Sequence, residues 1–516
     1  MTPQEKIEAV EFTQSDARIS ELLQHLHEMS DLQALGALAG WDQHTAMPTG
    51  AVEVRGHQMA TLEGLLHERG TAPRLGALLH ELDGVVKETK FSDADRGLVS
   101  RVRRSYDKAT KLPRGLVEEM ARVNASSVEA WVKARRQNDF ASFAPWLQRT
   151  LDLQREVADR IGFEDTRYDA LLDEYEPGLT ARKVEELFTP VRNVSAALLQ
   201  RIQESGHTID ASCLEGSFPS QQQLELCDKA LRNMGYDFTY GQVAQSAHPF
   251  TTSFGSPYDV RLTVRLSEQY LQMSLMAALH EGGHALYEQG VAPALVRTPL
   301  AGGTSLGIHE SQSRLWENAL GRSEPYWQGQ YNIVRETFPE QFANVDVTTF
   351  VRALNRVQPS LIRVEADEVT YNLHIIIRFE LEKALVNGEI SVESLPALWN
   401  AKYRAYLGIE PPNDTDGVLQ DMHWSGGFGY FPTYTLGNLY GAQIFRKLHS
   451  EFPDFDARLV KGDTTFVLQW LRERLYAFGG IYLPEELITR VTGEAPDPSY
   501  FVQYLTSKFE KIYGLK

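Results

Sequence analysis

Cysteine is nearly absent: Cys213 and Cys227 are the only two in 516 residues. Two thiols cannot build the disulfide framework of a secreted scaffold, and no second Cys/His pair stands near them at metal spacing, so a reducing cytoplasmic setting is the simple reading. Long apolar runs are missing as well. Nowhere do 18 apolar residues follow one another, and the charged stretch Met1 to Glu11 lacks the apolar centre of an export signal, which speaks against spanning a membrane and against secretion. Basic runs are missing too. With 51 Lys and Arg against 69 Asp and Glu, a net charge of −18, the chain offers no Lys/Arg-rich face to nucleic acid or anionic lipid. No linker rich in Pro, Ser or Gly, no charge block and no clear repeat divides the chain. The expectation is one large helical domain over residues 1–516, with residues 1–110 as amino-terminal lid helices.

What the chain has in abundance is apolar residues at helical spacing. Ile19, Leu22, Leu23, Leu26 and Met29 make one such stripe, and Val184, Leu187, Phe188, Val191, Val194, Leu198 and Ile202 make another behind a Thr180 cap. Gly162, Gly206 and Gly235 read as stops, giving helices of about 15 to 25 residues suited to stacked pairs. The fold class is therefore mostly α. One segment breaks the period: in Asp259 to Leu266, Val260, Leu262, Val264 and Leu266 alternate with Arg261, Thr263 and Arg265, the pattern of a strand. Such a strand could take an extended peptide by β-augmentation; the plainer reading is an edge strand with solvated arginines.

Directly after that strand comes a helical segment that carries His280-Glu281-x-x-His284. With 14 His in the chain and Glu at roughly 7%, accidental strings of this form are expected on the order of 0.03 times. Side chains four apart on a helix stand one turn above another, so both imidazoles can reach one ion at about 2.0–2.1 Å. Glu281 stands beside them, where it could take a proton from a metal-bound water. Ser267 reads as the N-cap of this helix and Gly290 as its stop, with Tyr270, Leu271, Met273, Leu275, Met276, Leu279 and Leu286 apolar nearly all round. That is a buried helix, and hydrogen-bonded core histidines are the bland alternative. Gly282 and Gly283 each lower helix propensity by about 1 kcal/mol, which implies that something approaches the helix closely there.

Two histidines leave zinc short of ligands, and a catalytic site needs a third with one position open to water. Glu310, near the start of a helical pattern from His309 to Leu320, is the first candidate, with Glu317 on the same face, His309 next door, and Glu365 and Glu368 on a separate helix as competitors. The run Ala301 to Gly307 is glycine-rich but lacks the Gly-Lys-Ser/Thr ending of a phosphate loop; it reads as a flexible loop lining a cleft. Hydrolysis of a peptide also needs donors for a tetrahedral oxyanion. Asp421, His423, Tyr430 and Tyr434 cluster near a glycine-rich turn, where either loop packing or that role would place them.

Together these strings resemble the carboxypeptidase Taq family of zinc metallocarboxypeptidases, distant relatives of neurolysin and angiotensin-converting enzyme. The matching motifs are His248-Pro249-Phe250, Asp259-x-Arg261-x-Thr263, His280 to His284, His309-Glu310-Ser311-Gln312, Ile362-Arg363-x-x-Ala366-Asp367 and Gly417-x-x-Gln420-Asp421-x-His423-Trp424, with Trp41-Asp42-Gln43, Thr45, Met47 and Pro48 extending the likeness towards the amino terminus. The resemblance implies a helical fold with a deep central groove and a small β-sheet, a homodimer, and zinc, with cobalt as the alternative, on His280, His284 and Glu310. It implies Glu281 as general base and removal of single C-terminal residues from peptides of broad sequence, sparing proline contexts. Arg363 is the first choice to hold the substrate's terminal carboxylate, because a guanidinium fork pairs with a carboxylate bidentately. Arg261 is the second, and a pair with Asp367 is the plain structural role for Arg363. His248 counts with the substrate-binding residues. By analogy with the distant relatives, His423 and Tyr434 stabilise the oxyanion, with Tyr430 in reserve. A zinc endopeptidase, or a structural zinc with a closed four-ligand shell, are the rival readings.

Overall fold

Helices form where the apolar period meets its end signals. In the computed structural model, which describes residues 10–515 apart from Gln14, Asp16 caps the helix Ala17–Thr45 by accepting from the Arg18 amide, and Ile19, Leu22, Leu23 and Leu26 are buried along one face. Most of the charged stretch from Met1 to Glu11 lies outside the described residues. Thr180 caps Ala181–Ser205 from the Lys183 amide, and Gly206 closes it in the left-handed conformation that glycine tolerates best. Gly162 and Gly235 likewise end Phe140–Ile161 and Ser220–Met234. The described residues form 20 α-helices and one three-stranded sheet, so the mostly-α expectation holds. None of those helices is long and apolar enough to cross a membrane, and both cysteines are free thiols.

The sheet comprises β1 (Gly241–Gln245), β2 (Thr251–Ser253) and β3 (Val260–Val264) in the order β1-β3-β2. β1 runs parallel to β3 with Gly241 opposite Val260, and β2 runs antiparallel with Thr251 opposite Leu262. The alternation predicts the strand correctly but not its place. β3 is central, both its edges are paired, and neither the edge-strand reading nor peptide augmentation on β3 applies. Its polar face is not solvated throughout, because Thr263 is buried and its hydroxyl accepts from the Phe250 amide at 3.0 Å.

Val260, Leu262 and Val264 are fully buried where β3 packs on the helix Leu271–Gln289. That helix starts four residues later than Ser267, with Tyr270 at its N-cap position and no side-chain cap. Tertiary partners claim the intervening backbone: Gln223 bonds both the amide and the carbonyl of Ser267, and the Gly216 and Phe218 amides donate to Gln269 and Glu268. The glycine-rich run before Leu306 is tied down rather than loose, since the Gly303 amide donates to Glu288 and the Thr304 hydroxyl to the Tyr482 carbonyl. Glu365 and Glu368 do not sit on a helix. Arg363–Glu365 is one 3-10 turn, Asp367 accepts from the Val369 and Thr370 amides, and Glu368 pairs with Lys508 at 2.6 Å.

Candidate metal centre

Two helices cross to make the centre, and the glycines at the crossing let them do so. A Cβ on Gly283 would stand 2.5 Å from the Gln312 carbonyl oxygen and 2.7 Å from the Ser313 Cα, so only a glycine lets the helix Leu306–Arg314 lie this close. From the other side the helix Pro432–Glu451 presents Gly437, whose Cβ would lie 2.4 Å from the Glu310 Cγ. The close approach inferred at Gly283 is thus backbone of the helix that carries Glu310; Gly282 instead faces Met234 and Leu231 of the neighbouring helix Ser220–Met234.

The crossing brings His280, His284 and Glu310 together with donor atoms within 4.8 Å of one another. Glu310 Oε2 lies 3.5 Å from His280 Nε2 and 3.3 Å from His284 Nε2. Ligands bound at about 2.0–2.1 Å around a tetrahedral ion stand ~3.3–3.4 Å apart, so this donor set fits zinc in spacing as well as in chemistry. Charge agrees. Burial opposes ionisation of Glu310, but Arg314, His280 and His284 outweigh it and hold the carboxyl far below the usual carboxylate range. Burial would depress both imidazoles; Glu310 and Glu317 instead lift His280 to about 9, while His284 falls to about 4. The lift of His280 marks a negative potential from Glu310 and Glu317 at its ring, the sign that favours a cation there.

The competitors for the third position stand behind the first ligands. Glu317 follows on a π-helical turn, Leu315–Leu320, and its Oε2 is 2.9 Å from His280 Nδ1. His309 meets His284 ring to ring, Nδ1 to Nδ1 at 2.6 Å, and its Nε2 contacts Glu288 Oε1 at 2.7 Å. Each candidate ligand therefore has an oriented partner: Glu317 for His280, His309 and Glu288 for His284, and Arg314 for Glu310, its Nε donating at 2.7 Å. A carboxylate behind an imidazole, as Glu317 stands behind His280, fixes the tautomer and raises the basicity of the ring, whereas Arg314 orients Glu310 and keeps it ionised. Glu288 went unnoticed in the sequence although it stands one turn beyond His284 on the same helix. Glu281 faces β2, accepting a hydrogen bond from the Thr251 hydroxyl at 2.7 Å. Burial pushes its carboxyl above the usual value, against the pull of His280 and Thr251. Nothing in the sequence marked Thr251, because a three-residue strand carries no period.

Arg363 lies buried beside this cluster. Its Nη2 and Nε bond Asp421 Oδ1 at 2.8 and 3.2 Å, so the pair with Asp367 does not form; Nη1 has only the Tyr371 hydroxyl at 3.5 Å. Arg378 takes the other oxygen of Asp421. Tyr371, also unnoticed in the sequence, bridges the two halves of the site, with Arg314 over its ring at 4.3 Å and Tyr434 edge-on at 6.3 Å. Tyr434 in turn stands 5.4 Å from Tyr430, centroid to centroid, and 6.4 Å from His423. Burial drives both phenols above their usual pKa and lowers His423 to about 4, with Asp421 opposing and Arg363, Arg378 and His248 reinforcing. At neutral pH all three are uncharged hydrogen-bond donors, and the buried His423 Nδ1 has no hydrogen-bond partner among the described residues, Asp421 Oδ1 standing 3.8 Å away. Exposed His248 borders this group. Arg261 does not join it: both ends of its fork bond Asp259 at 2.8 Å, and it stacks on Phe254 and Trp41.

A family model described as carboxypeptidase Taq (M32) metallopeptidase matches residues 21–509. The thermostable carboxypeptidase 1 of Thermus thermophilus is 43% identical over 510 residues, covering 97% of this chain and 99% of that one. Carboxypeptidase 1 of Bacillus subtilis is 37% identical over 500 residues, 96% of this chain and 98% of its own. Among solved structures, the M32 carboxypeptidase of Deinococcus radiodurans superposes with a TM-score of 0.93 at 39% identity, over 97% of this chain and all of that one (100%).

Proposed function

This chain belongs to the carboxypeptidase Taq (M32) family of metallopeptidases and is a metal-dependent carboxypeptidase; from that premise we propose that it removes single C-terminal residues from peptides of broad sequence, with zinc as the metal and Glu281 as the general base. The observation that carries this reading is the convergence of His280, His284 and Glu310 at tetrahedral spacing, with Glu281 adjoining. Zinc bound there supplies a Lewis acid that polarises the scissile carbonyl and lowers the pKa of water towards about 7. The protein does the rest. Glu281, oriented by Thr251, takes the proton of the attacking water and passes it to the leaving amine. His423 and Tyr434, both neutral, donate to the oxyanion, with Tyr430 packed edge-on against Tyr434 as the reserve phenol. Arg363 receives the terminal carboxylate on Nη1, the edge that Asp421 leaves open. Its grip is then single rather than forked, and Asp421 fixes its direction. His248, which borders His423, counts with the substrate-binding residues, and Arg261 holds β3 to the amino-terminal helix rather than holding substrate.

Mass spectrometry of a peptide mixture after incubation with zinc-loaded protein, run beside the same peptides amidated at the C-terminus, tests this. A ladder of single-residue losses from free ends alone is expected. Internal cuts in both sets would replace the reading with an endopeptidase. A homodimer in the cytoplasm completes the proposal, and light scattering at a mass of two chains checks the first half.

A further inference from the structure

A cavity of about 820 Å³ lies beside the metal centre, between the helix Asp93–Lys111 and the segments around Tyr175, Phe428 and Ile481. It is within the size range of small-molecule sites. One face of that helix lines it with Arg96, Arg101, Arg104 and Lys108. Three of these cations have carboxylate partners: Arg96 pairs with Asp93, Arg104 with Asp173, and Lys108 with Asp173 and Glu174. The Arg101 side chain makes no hydrogen bond or ion pair among the described residues. Its guanidinium is fitted against Gly480, where a Cβ would stand 2.4 Å from Nη1, so the wall is shaped around it. Four cationic and three carboxylate side chains line the cavity, and Asp173, bonded to Arg104 and Lys108, supplies the fourth carboxylate, so Arg101 is the one cation of the wall that no carboxylate bonds. The rest of the lining is largely apolar, including Met120, Val157, Leu171 and Phe428.

We propose that this cavity binds a small monocarboxylate with an apolar body, its carboxylate on Arg101. A recessed guanidinium that no carboxylate bonds directly is costly to hold, and an anion that pairs with it lowers that cost. Consistently, burial and the neighbouring Arg104 pull Arg101 below the usual guanidinium range, against Tyr287 and Glu288. The single unpaired guanidinium matches a carboxylate better than a dianionic phosphate, and the flanking Asp93, Glu174 and Glu486 repel a second negative charge. The carboxylate has two sources: an acidic side chain of the bound peptide, since Tyr175 of the cavity wall packs on Tyr430 of the centre at 5.3 Å, or a free small molecule. The site does not rest on the catalytic assignment, because binding is read whether or not peptide is cut.

Isothermal titration calorimetry of the full-length, metal-loaded protein with sodium hexanoate, hexanamide and inorganic phosphate tests it. Hexanoate is expected to bind at least tenfold more tightly than hexanamide or phosphate, and Arg101→Gln to weaken hexanoate at least tenfold. Equal hexanoate affinity in wild type and variant, or phosphate binding more tightly than hexanoate, overturns the site. Should Arg101→Gln not fold, 4-bromobutyrate soaked into wild-type crystals decides: a bromine anomalous peak beside Arg101 supports the site and its absence overturns it. Peptides that differ only by Glu or Gln upstream of the cut bond separate the sources. A Glu/Gln ratio of kcat/KM that collapses towards one in Arg101→Gln identifies the substrate's own side chain; a ratio that the substitution leaves unchanged, with hexanoate binding lost, identifies a free carboxylate.

Discussion

Replacing Gly283 by Ala tests the crossing on which the whole centre depends. The new methyl would stand 2.5 Å from the Gln312 carbonyl oxygen and 2.7 Å from the Ser313 Cα, both backbone atoms with no rotamer to yield. Carbon atoms sit at about 3.5–4.0 Å in ordinary contact, so the two helices must separate by roughly 1 Å. Overpacking of this kind costs about 1–3 kcal/mol, while the gain in helix propensity returns about 1 kcal/mol, so stability falls modestly. The metal site suffers more. Productive ligand distances hold within about 0.2 Å, and Glu310 rides on the helix that is pushed away, so zinc affinity should fall at least tenfold. Gly282→Ala is the control, because its methyl meets the Met234 Cε at 2.7 Å and the Leu231 Cδ2 at 2.8 Å, ends of side chains that can move. It should cost stability and keep zinc. Competition with a chromogenic chelator gives the affinities, and denaturant unfolding of the metal-free proteins gives the stabilities. Zinc affinity within twofold of wild type in Gly283→Ala would refute the argument that helix contact sets the ligand geometry.

Four further outcomes follow from the same geometry. Glu281→Gln should retain one zinc per chain by atomic absorption and lose at least about 100-fold in turnover; an active variant removes the base assignment. Arg363→Ala should lower kcat/KM for peptides with a free C-terminus at least tenfold more than for amidated ones in the mass-spectrometric assay, and equal losses would reject the anchor. Glu317→Gln, which leaves His280 without its carboxylate partner, should weaken zinc about 10–100-fold without touching a ligand, as chelator competition reads. Glu176, fully buried, has its carboxyl raised by burial from 4.5 to about 7, against the Gly307 amide and the Ser305 and Tyr440 hydroxyls. A carboxyl raised in the folded state holds its proton where the unfolded chain has lost it. Its contribution is therefore full below the unfolded value and is lost as pH rises through about 7, a span of about 3 kcal/mol. Unfolding in urea between pH 5 and pH 8 should show this slope flattened in Glu176→Gln, and an unchanged slope would refute it.

Much of the architecture was legible because local rules and tertiary packing agree. Thr180, Gly162, Gly206 and Gly235 end helices where their chemistry says they should, and the apolar stripes beginning at Ile19 and Val184 are the buried faces. The sequence misled where distant partners took over. Ser267 has the chemistry of a cap, but Gln223 holds its backbone. Arg363 has an acid four residues on, yet Asp421, 58 residues away, takes its guanidinium. The alternation of Val260 to Val264 marks a strand, but whether that strand is central or at an edge depends on β1 and β2, which are too short or too irregular to show a period.

The sequence by itself determined the kind of chemistry: two imidazoles one helical turn apart with a carboxylate between them, a spacing that helix geometry alone converts into a divalent-metal site. It also determined the family, through six motifs in order. Spacing alone left Glu310, Glu317, Glu365 and Glu368 open, and the tertiary structure is what brings Glu310, rather than the others, within 3.3–3.5 Å of both imidazoles. Three-dimensional packing set Glu317 and His309 behind the histidines, gave Glu281 its Thr251 partner, and left Arg363 one open edge and Arg101 none of the usual partners. Spacing along the chain fixes what one helix presents; contacts between helices fix which presentation meets which, and they turn on close approaches such as Gly283 against Gln312, where the signal is the absence of a side chain.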